Sequence, residues 1–336
     1  MARSEVVAKP DGVSHDGGGS VRRKAPTLLL AAALVDPFAF FQPTVHVELA
    51  ERDALSRGAA FARAVPAPPR HVAIVAAVPV RIDGDRLVAW INDIAALKKS
   101  PMVKQVGRFS ATPSLTDLQA LTLDEGDARD LATCRPSTCG VKLRPQEISH
   151  IRAAMRPGWS PYDAPVQRAF REVVLARAID YLHAGGEAAE PPACLTANWP
   201  NISHDARSVP AGLAPGAEHF LYWAKDVYAG KPVVSVTHVT IVKNTEPGAP
   251  EVLVVGRQVF ATHYLDGTWS LTSLVRDGER RYLVYVNQSA VDLLDGWYAG
   301  LIRRVVEHRV REEAVDVLNG LRRRLESGDP PVHQGQ

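Results

Sequence analysis

His238 and His263 are the side chains best suited to chemistry, because they fall in two successive runs rich in β-branched residues, 233–242 and 252–264. Histidine changes charge near neutral pH and ligates metals. On two paired strands the rings would form an acid/base or metal-binding pair, with Tyr264, Asp266 or Tyr285 completing a polar site. A slip of one residue in register would send either ring to the opposite face, so the sequence leaves their approach open. His238 also shares its strand face with Val234, Val236 and Val242, and a core histidine with a backbone partner is the competing reading. There is no G-x-S-x-G elbow, H-E-x-x-H helix or P-loop, so no catalytic residue is assigned beyond this alternative pair.

Aromatic rings form the second candidate site. Phe220, Tyr222 and Trp223 precede the strand runs, Phe260, Tyr264, Trp269 and Tyr285 lie within them, and Trp297 and Tyr298 open the last helical segment. An apolar pocket with a few polar orienting groups is the usual form of a small-molecule site. Trp223, His238, Phe260, His263, Tyr264, Trp269, Tyr285, Trp297 and Tyr298 are therefore the candidate ligand-binding residues, with a closed aromatic core as the alternative. Arg257 and Asp292 mark either the mouth of such a pocket or ordinary surface. The carboxylates Asp124, Glu125, Asp127 and Asp130 lack the spacing of an EF-hand loop and read as a solvated, acidic helix start. No metal site or bound cofactor is assigned.

Cys134 and Cys139 flank the short stretch Arg135-Pro-Ser-Thr138, which suits a tight loop closed by a disulfide; such bridges persist in oxidising compartments. Unpaired thiols are the alternative, and zinc fits less well because no second cysteine pair follows. Cys194 reads as a small buried residue.

The elements that must position these groups come mostly from the second half of the chain. Strands are expected over 233–242, 252–264, 268–275 and 281–287, with hairpin turns at Asp266-Gly267 and Asp277-Gly278. The apolar positions of 296–325, among them Leu301, Val305, Val317, Leu318 and Leu325, recur at three- and four-residue steps. They predict a helix about 45 Å long at 1.5 Å per residue, whose stripe must cover the strands. Earlier, a helical pattern spans 45–63, a strand 71–82, a helix 85–99 and a strand 102–110. The block 112–215 reads as a mostly helical insertion, with helices over 116–123, 146–155 and 164–183 and an irregular connection over 185–216.

The passage from Leu283-Val-Tyr-Val-Asn287 through Asp292-Leu-Leu-Asp-Gly296 into a long terminal helix resembles the START-like superfamily of hydrophobic-ligand carriers, which includes lipid-transfer domains and the birch-pollen-allergen type. Val106-Gly-Arg-Phe109, the segment 134–143 and the segment 260–264 are also similar to an uncharacterised group of exported bacterial proteins. The resemblance implies an α+β, helix-grip fold, an antiparallel sheet around a long C-terminal helix, and a cavity between the two. It carries no activity.

At 336 residues, with 46 % hydrophobic and 23 % charged residues and a formal net charge of +2, the chain has ordinary globular composition. Nothing in its charge points to nucleic acid. The organisation expected is a tail and signal-like segment over 1–44, one START-like domain over 45–326 carrying the insertion, and a tail over 327–336. Arg22-Arg-Lys24 followed by Thr27-Leu-Leu-Leu-Ala-Ala-Ala-Leu-Val35 has the layout of a secretory signal, which points to the periplasm or cell envelope. The partner expected is a lipid or other apolar small molecule, with peripheral membrane contact and oligomeric state left open. A hydrolase or metal-dependent enzyme using His238 and His263, and a cavity-free structural envelope protein, are the alternatives. Asp36-Pro37 interrupts the run and no clear A-x-A cleavage site follows; a start at Val21 would place the signal at the N-terminus, and N-terminal sequencing of the natural product should then find a trimmed chain. A mature chain beginning near Met1 would reject the signal.

Overall fold

The computed structural model describes residues 36–136, 138–184, 192–198, 216–228, 230–244, 249–294 and 299–328. Eight strands form one antiparallel sheet in the order β1-β2-β8-β7-β6-β5-β4-β3. They are β1 (Phe61–Val65), β2 (His71–Val80), β3 (Val103–Arg108), β4 (Glu218–Tyr228), β5 (Lys231–Lys243), β6 (Val252–Ala261), β7 (Leu265–Asp277) and β8 (Arg280–Val291). The helices are α1 (Leu49–Ser56), α2 (Gly84–Asn92), α3 (Ile94–Lys98), α4 (Glu125–Thr133), α5 (Pro145–Ala153), α6 (Ala164–Ala184), α7 (Ala193–Asn198) and α8 (Ala299–Ser327). Asp83, Asp93 and Asp124 start α2, α3 and α4 by accepting backbone N–H groups, the usual work of an N-cap carboxylate.

Side chains alternate across a strand, so the register sorts them onto two faces. One face, here the insertion face, carries Trp223, Val236, Leu253, Leu271, Val284 and Val75. Helices α4 to α6 cover its β4–β6 side through Leu131, Ile148, Ile151, Phe170 and Val174, and Phe38, Phe40, Phe41 and Leu55 cover its β2–β8 side. The helix face carries Ala76, Val78, Leu283, Val254 and Ile241, packed against Leu87, Trp90 and Ile91 of α2 and Leu318 and Leu325 of α8.

Several sequence expectations are corrected here. The 45–63 helix is α1 alone; Gly58, at φ +92°, ends it, and Phe61–Val65 then pairs with β2. Phe38, Phe40 and Phe41, assigned above to the segment before the domain, are buried. Phe220, Tyr222 and Trp223 do not precede the sheet but belong to β4, an internal strand between β3 and β5. Asp266-Gly267 is not the hairpin turn: both residues lie in β7, and the chain reverses over 262–264, with Tyr264 at φ +60°. Its carbonyl accepts the Asp292 N–H, which fixes that unusual backbone. Asp277-Gly278 does turn the chain between β7 and β8. Helix α8 runs along β1 and β2 and against α2, at one side of the sheet rather than across the middle of the 233–287 strands. Part of its stripe is not covered: Leu301 is 60 % exposed and Val317 69 %.

The C-terminal end of α8 is tied, and so is the strand end that precedes it in the chain. At its C-terminal end Arg324 donates to the carbonyls of Leu97 and Lys99 at 2.5 and 2.8 Å, and Arg86 donates to the carbonyls of Leu325 and Gly328. Ahead of its N-terminal end, Lys142 of the insertion bridges Asp266 at 2.6 Å and Asp292 at 3.1 Å. Cys134 and Cys139 form the expected disulfide, and the Cys194 thiol is buried. Among the described residues no helix is long and apolar enough to cross a membrane. The segments 1–35 and 329–336, and most of the expected irregular connection, lie outside the described residues.

The contact between β3 and β4 makes a test of this packing. A Cβ at Gly107 would sit 2.6 Å from the Trp223 ring, whose indole N–H is held by the Asp117 carbonyl at 2.8 Å. Gly107→Ala should therefore cost about 1–3 kcal/mol through overpacking, read as a lowered midpoint in urea unfolding. An unchanged midpoint would mean that the indole is free to move.

Candidate functional site

The helix face is unevenly covered. Helix α8 lies over β1 and β2, and α3 sits beside β3; between them the central strands carry a polar strip. In β7, Thr268, Ser270 and Thr272 are half-buried while Gly267, Trp269, Leu271 and Ser273, on the insertion face, are buried. The alternation continues in β8, where Tyr285, Asn287 and Ser289 are half-buried between buried Val284, Val286, Gln288 and Ala290. Gln258 and Thr237 extend the strip through β6 and β5. Gly256 is needed within it, because a Cβ there would run into the Ser270 hydroxyl.

Hydrogen bonds order the strip. Thr268 Oγ1 is 3.0 Å from Ser289 Oγ, Ser289 Oγ donates to Asn287 Oδ1 at 2.9 Å, and Asn287 Nδ2 donates to Tyr285 Oη at 3.2 Å. At the β4 edge, Lys98 Nζ of α3 lies 3.1 Å from Asp226 and 5.5 Å from the Tyr222 ring centroid. Burial opposes the Lys98 charge, but Tyr222 and Asp226 outweigh it and raise the amine's pKa. Burial raises the Tyr285 phenol, so it stays a hydroxyl at neutral pH. A half-open strip of hydroxyls and amides can orient a small molecule by hydrogen bonds.

A second polar group lies on the opposite, insertion face. His238 is buried, with Nδ1 2.9 Å from Tyr181 Oη of α6 and Nε2 3.3 Å from His219 Nδ1 of β4. Burial first, then His219 and Arg257, push its pKa down to about 3, so the ring is neutral. In the arrangement that leaves no ring nitrogen unmatched, the Tyr181 phenol donates to Nδ1 and Nε2–H donates to His219. The buried Arg257 guanidinium lies 5.2 Å from the Tyr181 ring centroid and 5.6 Å from that of Trp269. The partners of His238 are thus two side chains, not the backbone.

His263 occupies a different place. Its Nε2 is 2.9 Å from Asp127 Oδ2 of α4, and both side chains are buried; Lys231 lies 3.7 Å from the other Asp127 oxygen. The neighbouring Thr262 N–H donates to the Val234 carbonyl, four residues from His238, or about 13 Å along the strand. The structure does not bring the two histidines together as a pair. Asp127 is likewise not the solvated acid expected, because its carboxylate ties the insertion to the β6–β7 turn.

The predicted aromatic site divides between the faces. Trp223, Phe260 and Trp269 are buried on the insertion face with His238, away from α8. His263 and Tyr264 form the turn between β6 and β7. Tyr285 alone of the described candidates lies on the helix face; Trp297 and Tyr298 lie outside the described residues. Arg257 is core rather than mouth. Sequence reasoning missed Thr268, Asn287, Ser289, Gln258 and Lys98, although the polar residues alternating with Val284 and Val286 carry the signal. Among the described residues no three histidine, cysteine or carboxylate side chains converge as metal ligands.

No family model matches the chain, and no curated protein does. Among solved structures it is similar to the crystal structure of TTHA0849 from Thermus thermophilus, at 17 % identity and a TM-score of 0.25, over 32 % of this chain and 66 % of that one. At that score the likeness carries no argument about fold or function.

The depressed pKa of His238 makes stability depend on pH. Below about pH 6.5 the unfolded chain takes up a proton that the folded ring refuses until about pH 3. The contribution is full above the upper value and is lost as pH falls, at about 1.4 kcal/mol per pH unit. Urea unfolding at pH 7 and pH 5 should therefore show a shallower pH dependence in His238→Gln than in the wild type. Equal slopes would mean that the folded ring takes up its proton over the same pH range as the unfolded chain.

Proposed function

We propose that this chain is a carrier that binds a small apolar or amphipathic molecule between the central strands and α8, in a helix-grip arrangement like that of the START-like superfamily. The observation that carries the reading is the alternation in β7 and β8: residues on the insertion face are sealed, while Thr268, Thr272, Tyr285, Asn287 and Ser289 keep exposure in the middle of the sheet. An antiparallel sheet commonly packs one face on a core and leaves the other open; here the open part lies between the margins covered by α8 and by α3. Burial of apolar ligand surface would supply affinity at about 25 cal/mol per Å2, with the strip fixing orientation. Export to the cell envelope belongs to the same proposal and is supported by the disulfide. The enzyme alternative is weakened by the separation of His238 from His263 and by the engagement of each with its own partners.

Native mass spectrometry of the purified protein should show a mass increment that organic extraction removes and that returns when the extract is added back. A clean apo mass, with no uptake from a mixture of lipids and small aromatic compounds, would reject the carrier reading.

A further inference from the structure

The two sulfurs of the Cys134–Cys139 disulfide sit in unlike surroundings. Arg152 of α5 donates from Nε to the Leu131 carbonyl at 2.5 Å. Its Nη2 donates to the Cys134 carbonyl and lies 3.4 Å from Cys134 Sγ. Cys139 Sγ instead lies 3.1 Å from the carbonyl oxygen of Arg135. A cation beside a sulfur stabilises a thiolate there, whereas the negative end of a carbonyl disfavours one and accepts from a thiol S–H. One end of the bond is therefore suited to carry charge and the other is not.

The bond is also within reach of solvent. Both cysteines are half-buried, and Thr138 and Gly140, on either side of Cys139, are exposed. The bridge spans five positions, and short loops gain least from a cross-link. Other contacts hold the same corner. Arg152 ties the end of α4 to α5 through the two carbonyls, and the Gly140 N–H donates to Asp130 Oδ2 of α4 at 2.8 Å. With the bond open, the loop stays anchored at both ends and can close again.

We propose that this disulfide is a thiol-exchange site, at which a small thiol attacks Cys139 and Cys134 leaves as a thiolate held by Arg152. The attacking thiolate bonds to Cys139 Sγ as the Sγ–Sγ bond breaks, and the electron pair of that bond goes to Cys134. The product is a mixed disulfide on Cys139. A second small thiolate then attacks the outer sulfur and releases the small disulfide, and Cys139 takes a proton from water. Two thiols are thereby oxidised as the pair is reduced, and the reverse sequence closes the bond. In an oxidising compartment the closed form is the resting state. The site lies on the insertion and does not depend on a ligand between the sheet and α8.

Mass spectrometry of the full chain, acid-quenched after incubation in glutathione buffers of increasing reduced fraction, tests this. The bond should open and close reversibly in the folded chain, with the glutathione adduct on Cys139. A bond that opens only as the chain unfolds would overturn the proposal, and so would an adduct on Cys134. Single variants give a second readout. Iodoacetamide should alkylate Cys134 in Cys139→Ser with a rate that rises at lower pH than the rate for Cys139 in Cys134→Ser. Adding Arg152→Met to Cys139→Ser should slow alkylation of Cys134 at pH 7 about threefold, the size of effect expected of a part-exposed charge contact. An unchanged rate, or a Cys134 profile at or above that of Cys139, would reject the assigned roles. Should the variants fail to fold as judged by circular dichroism, the position of the adduct on the wild-type chain decides.

Discussion

The whole structure depends on one sheet having to serve two environments at once. Each strand turns successive side chains to opposite faces, so every coverage on one side constrains the residues two positions apart on that side alone. The insertion face is closed by the insertion and by the segment around Phe38 to Leu55. Its apolar positions run from Val75 to Trp223, interrupted by the buried His238, Thr240, Arg257, Ser273 and Gln288. The helix face is held down at its margins by α2 and α8, and the residues between those margins are hydroxyls and amides. A sheet sealed equally on both sides would have no use for that difference.

Buried polarity follows the same division. On the insertion face it is matched within the protein: His238 by Tyr181 and His219, Asp127 by His263 and Lys231. Each match joins the sheet or its turn to another part of the fold, so these contacts specify how the insertion docks. On the helix face the side chains of Thr268, Ser289, Asn287 and Tyr285 are bonded, among the described residues, only to one another, within β7 and β8. The contrast distinguishes polar groups that dock other elements onto the sheet from those bonded only within it.

Much of this was legible from the residue pattern. The density of β-branched residues marks β5 and β6, the three- and four-residue steps mark α6 and α8, and Cys134 with Cys139 declares the disulfide. What the pattern hid was parity. Val236 pairs with Phe260, and a bulge follows before Thr237 pairs with Gln258; that single extra residue resets which side chains of β6 share a face with those of β5. Counting along the sequence cannot place Phe260 or His238 relative to Tyr285 without that register. Strand β4 escaped notice for a related reason: Phe220, Leu221, Tyr222 and Trp223 are apolar or aromatic in succession because both faces are covered there, and the period-2 signature vanishes. The turn at 262–264 was hidden because Asp266-Gly267 has the better turn chemistry and yet sits in a bulged strand.

The tie on α8 and the tie on the strand end before it differ in kind. The C-terminal end of α8 is held by guanidinium groups on backbone carbonyls, which carry no net charge. The strand end leading into its N-terminus is held by Lys142 between two partly exposed carboxylates. Dissolved ions screen exposed charge pairs strongly and such carbonyl contacts much less. Rising salt therefore loosens the contact that the insertion makes with the strand ends at Asp266 and Asp292 while leaving the guanidinium contacts at the C-terminal end of α8 in place.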